Sequence, residues 1–152
     1  MLEAIPSNTP VQVFVLLTKP LREREVNALW RSPSSVMVAP GQPLIWEPMA
    51  SCDYRGFDTC RFDAHPEPLT AQFRAWVSLL QEDDAQVLDQ FNLKLEHLQK
   101  YARDGLIYGF STRNLPGPVR AIADDPRIRT VYVVDTDVPD IRLPMGDQQK
   151  KY

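Results

Sequence analysis

Apolar and polar positions alternate along this chain in blocks of clear period. Val11–Leu17 (VQVFVLL) is a dense run of β-branched, aromatic and aliphatic residues, the pattern of a central strand buried on both faces. Leu21, Val26, Leu29 and Trp30 then recur at helical spacing, with Arg22, Glu23, Arg24 and Glu25 outside the stripe. Thr18 is placed to cap that helix, Pro20 falls in its first turn, and Pro33 ends it. Ser35–Ala39 (SVMVA) reads as a second strand, Pro40-Gly41 as a turn and Leu44–Glu47 (LIWE) as a short third strand. Residues 48–68 have no period and read as irregular, with Arg61-Phe62 as an edge strand.

Thr70 to Asp104 carries the helical period. Phe73, Trp76, Val77 and Leu80 form an i, i+3, i+4, i+7 face, and Val87, Leu88, Phe91, Leu95, Leu98 and Ala102 continue in nearly the same phase. Glu82-Asp83-Asp84 interrupts the stripe, which predicts two helices or one long helix bent there. Gly105 is the expected C-cap. Ile107–Thr112 reads as a strand, Pro118–Ala123 as a short helix and Arg129–Asp135 as a strand. The chain has 14 prolines, yet none between Leu69 and Leu115, so that interval is free to be helical.

The order β-α-β-(β)-loop-long α-β-α-β predicts an α+β domain. Its expected form is a ferredoxin-like, four-stranded antiparallel sheet with helices on one face and a long helical insertion before the third core strand. Residues 1–10 read as a flexible lead-in, 11–143 as a single domain and 144–152 as a flexible tail. Val13, Val15, Leu17, Trp30, Phe110, Val131 and Val133 are the expected core, with the strands 11–17, 106–112 and 129–135 in one sheet.

Composition narrows the function classes. With 152 residues, 43% hydrophobic and 24% charged, the chain is an ordinary globular one, long enough to bury a core without metal or disulfide support. A formal charge of −3 with no basic stripe excludes a phosphate-neutralising nucleic-acid surface. No apolar run reaches the length of a membrane span. The opening MLEAIPSNTP has no basic segment leading into an apolar core, so an extracytoplasmic location implies a trimmed signal.

Residues 106–137 carry a resemblance. Tyr108-Gly109-Phe110, then a small helix, then Asp125-Pro126-Arg127-Ile128 leading into Val131-Tyr132-Val133, resembles the second half of subtilisin-propeptide and proteinase-inhibitor domains. The same stretch is similar to C-terminal segments of bacterial exported proteins. The resemblance covers about a fifth of the chain, and any β-α-β half produces much of it, since Asp-Pro stops a helix and alternating Val makes a strand. It implies an exported, protein-binding relative. The helical insertion is foreign to such propeptides, no protease domain follows, and Val138–Tyr152 matches no inhibitory tail.

Candidate chemistry is sparse. Cys52 and Cys60 close the loop SCDYRGFDTC. A bridge there would contribute about 2–3 kcal/mol by constraining the unfolded chain and would imply an oxidising compartment; two reduced thiols are the other reading. A zinc site adding His65 and His97 is disfavoured by the Cys-x7-Cys spacing and the distance between the histidines. His65, in DAHPEP beside Asp63, is the one loop histidine suited to general-base work, but no G-x-S-x-G elbow accompanies it. Asp135-x-Asp137-x-x-Asp140 lacks the glycine and distal Glu of an EF-hand loop, and no phosphate-binding glycine motif exists.

Trp46 and the segment Tyr54, Arg55 and Phe57 put aromatics and a guanidinium on a proline-rich loop, a composition enriched at binding hot spots. The competing reading has Trp46 and Phe57 cover a sheet edge. The sequence therefore favours a non-enzymatic protein-binding or inhibitory module, in the cell envelope or secreted, with no metal, no cofactor and no nucleic acid. The alternatives are a small hydrolase-type enzyme using His65 with nearby acids, and a homodimer pairing through helix 70–104.

Overall fold

The computed structural model describes residues 2–31, 33–41, 44–47 and 68–134. Five strands are assigned: β1 (Val11–Arg22), β2 (Ser35–Met37), β3 (Ile45–Trp46), β4 (Leu106–Asn114) and β5 (Ile128–Val134). They form one sheet in the order β3-β2-β4-β1-β5, with every neighbouring pair antiparallel. The fold is α+β. The sheet has five strands rather than four, because β3 pairs onto β2 and becomes an edge of its own.

Register separates the two faces. Val15 lies opposite Phe110 on one side and Val131 on the other, and Val13 opposite Thr112 and Val133. Directly opposed residues share a face, so Val11, Val13, Val15 and Leu17, all buried, line one surface together with Phe110. Val36, opposite Phe110 and Trp46, extends that surface to the β3 edge.

Helices cover this first face. In α1 (Glu23–Leu29) the one buried residue is Val26, and Trp30 behind it donates its indole N–H to the Thr112 hydroxyl at 2.9 Å. From α2 (Leu69–Ser78) come the buried Phe73 and Val77. After a 3-10 turn at Glu82–Asp84 follow α3 (Ala85–Gln90), which buries Leu88, and α4 (Leu95–Asp104), which buries Leu98 and Ala102. Val119 of α5 (Pro116–Ala123) completes one continuous core cluster with the sheet.

Three departures from the sequence reading have clear causes. The helix expected from Leu21 begins at Glu23, because β1 runs on through Arg22 and carries Pro20 within it. Pro20 is tolerated because the β1–β4 register shifts between Leu16 and Leu21, a bulge where a missing N–H leaves no ladder bond unmade. Thr18, expected as a helix cap, instead donates its hydroxyl to Pro126 O at 2.8 Å and its N–H to Arg127 O at 2.9 Å, pinning the bulge to the turn before β5. The cap itself is local: Glu25 accepts from the Arg22 N–H at 2.8 Å.

The helical interval is three helices, not one or two. The second break is at Asn92, whose φ of 58° is left-handed; the Leu93 N–H returns to Leu88 O at 2.9 Å, and both leucines pack into the core. That is a Schellman stop with Asn in place of glycine. Gly105 caps α4 as expected, at φ 60°, with its N–H bonded to Tyr101 O. At the chain start, Leu2–Ala4 form a 3-10 turn rather than a free lead-in; Leu2 and Ile5 pack against the core, and Arg120 donates to Leu2 O at 2.9 Å.

Val13, Val15, Leu17, Trp30 and Phe110 are buried as expected, whereas Val131 and Val133 are half-buried. Among the described residues their strand is one edge of the sheet, paired with β1 alone.

Candidate binding surfaces

One polar tie holds the helical interval to α1, and another holds its first helix to its last. Glu23, in the first turn of α1, accepts from the Leu69 and Thr70 N–H groups at 2.9 and 2.6 Å. A carboxylate from one helix thus satisfies the orphan donors at the start of α2. Arg74 of α2 donates to Ala102 O near the end of α4 at 3.1 Å, a cation against the negative end of that helix.

Together α3, α4 and the turns beside them line an open cleft of about 460 Å³. Glu82, Asp89 and Glu96 line it with three carboxylates against the single ammonium of Lys94, and Ala85, Leu93 and Leu95 add apolar surface. The same segment presents three large apolar side chains to solvent: Leu79 at 75% exposure, Val87 at 56% and Phe91 at 46%. Val87 and Phe91 are four residues apart, hence neighbours on one side of the turn. They belong to the periodic stripe of the sequence but point outward, because the stop at Asn92 and the 3-10 turn before α3 rotate this short helix so that Leu88 takes the core position.

The second face of the sheet is the other notable surface. Gln12, Phe14 and Leu16 alternate with the buried valines of β1 and so point away from the helices. Phe14 lies opposite Ser111 and Tyr132, Leu16 opposite Gly109 and Thr130, Gln12 opposite Arg113 and Val134. Met37 opposes Gly109 from β2, and the Ser35 and Ser111 hydroxyls hydrogen-bond between β2 and β4. A Cβ on Gly109 would stand 2.6 Å from Val15 O, 2.9 Å from Met37 Sδ and 3.2 Å from a Leu16 methyl, so the glycine lets Leu16 and Met37 close together over the middle strand. Tyr132 is 54% exposed, and none of Phe14, Leu16, Met37 or Tyr132 belongs to the core under the helices.

The residues singled out from sequence fall unevenly. Trp46 is half-buried on the first face, 5.5 Å from both Phe73 and Trp76 between ring centroids, so it anchors α2 to the β3 edge. Its indole N–H is buried with no hydrogen-bond partner. Tyr54, Arg55, Phe57, Cys52, Cys60 and His65 lie outside the described residues, as do Asp135, Asp137 and Asp140. His97 is exposed on α4 beside Tyr101. Among the described residues no group of three His, Cys, Asp or Glu side chains could hold a metal ion, and no helix is long and apolar enough to cross a membrane.

Two titratable groups are displaced from their ordinary behaviour. The Arg127 guanidinium and backbone N–H, both bonded to the Asp125 carboxylate, hold it down to about 2. This Asp-Pro-Arg clasp sets the turn into β5. Burial, then the charges of Asp104 and Tyr101, push the Tyr108 hydroxyl up.

The sequence reading had this strand buried on both faces; Phe14 and Leu16 are half-buried on the second face, outside the core that the described helices cover. Comparison of the chain with protein-family models, with curated proteins and with solved structures finds no match.

Proposed function

We propose that this protein is a non-enzymatic protein-binding module that receives its partner on the helical segment between β3 and β4. The observation that carries the reading is the acidic cleft lined by α3, α4 and the turns beside them. Leu93 and Leu95 among carboxylates suit an amphipathic helix with basic flanks, docked by its apolar face and steered by charge. Leu79, Val87 and Phe91 are exposed apolar side chains of the same segment, outside that lining.

The ferredoxin-like reading of the scaffold is supported by the run of four strands β2-β4-β1-β5, which leaves edge strand β3 and the helical segment as additions. An inhibitory role and a place in the cell envelope or outside the cell belong to the same reading. They rest on the Cys52 and Cys60 pair and on the propeptide-like stretch 106–137.

The test uses two synthetic amphipathic peptides of one apolar pattern, one flanked by Lys and one by Glu, titrated by fluorescence anisotropy. The basic peptide should bind, weaken as salt rises, and lose about tenfold affinity on Asp89→Lys, a charge reversal in the cleft lining, near the 1–2 kcal/mol of one interface anchor. Equal binding of the acidic peptide, or indifference to Asp89→Lys, would remove the helical cleft from consideration.

A further inference from the structure

We draw no further inference here: the strongest candidate, the second face of the sheet with Phe14, Leu16, Met37 and Tyr132, carries no proposal, because nothing among the described residues shows what covers it.

Discussion

Strands β1 and β5 have nearly the same composition and opposite circumstances. β1 reads VQVFVLL at its start and β5 reads IRTVYVV, both β-branched and aromatic. Yet Val11, Val13, Val15 and Leu17 are buried, while Val131 and Val133, opposite Val15 and Val13, are only half-buried. The difference lies in place, not propensity: β1 has β4 and β5 on its flanks, and β5 is the last strand of the order. A strand pattern reports that a segment fits a pleated surface, and its neighbours decide how much of that surface leaves water.

The sharpest way to break the comparison is at the centre. Phe110, fully buried on the middle strand, should cost about 3–5 kcal/mol as Phe110→Ala, read by urea unfolding. An edge-like loss below about 1 kcal/mol would mean the centre is not packed as described. Gly109→Ala tests the second face of the same strand. Its methyl would meet Val15 O at 2.6 Å, a backbone atom that cannot swing aside, so about 1–3 kcal/mol should be lost although the substitution adds apolar bulk.

Smaller effects sharpen the contrast. Glu23→Ala leaves the Leu69 and Thr70 N–H groups without their acceptor and should cost about 1–2 kcal/mol, with faster amide exchange confined to the first turn of α2. Exchange unchanged in that turn would show that water replaces the carboxylate fully. At the edge, Val133→Ala should cost only about 1 kcal/mol, half of what a fully buried valine contributes.

The smallest effect is electrostatic and sits at the entrance to β5. The side-chain and backbone hydrogen bonds from Arg127 hold the Asp125 carboxyl down to about 2 in the folded chain, from its ordinary 3.8. The unfolded chain therefore takes up this proton first, and the clasp's contribution is present above about 4 and lost as pH falls towards 2. Melting curves of Asp125→Asn should be flatter than wild type through that window and lie close to it in slope at neutral pH. Because both partners are solvent-exposed, the shift in midpoint should be modest.

Much of the fold was legible because its signals are local. The start of β1, the strands at 107–112 and 129–134, the glycine stop at Gly105 and the Asp125-Pro126 turn each follow from period or backbone chemistry within a few residues. The stop at Asn92 was there to be read as well, since asparagine tolerates the left-handed region better than most residues, but the apolar phase running on through Leu95 concealed it. The candidate sites were less legible. Trp46 stood between two readings, binding anchor and sheet-edge cover, because nothing near it in sequence announces Phe73 and Trp76, which lie more than twenty residues away and reach it only through the packing of α2.

What the amino-acid sequence determined by itself was therefore most of the strands, the helical character of 70–104 as a whole and the α+β class, all properties of short windows. Only the tertiary structure decided that Pro20 sits in a bulged strand, that β3 extends the sheet to five strands, that α3 turns Val87 and Phe91 outward, and that Phe14, Leu16 and Tyr132 share a face apart from the helical core. The physical reason is that burial and strand order are pairwise properties of distant segments. They depend on which segments meet across loops whose closure costs little that the sequence reveals.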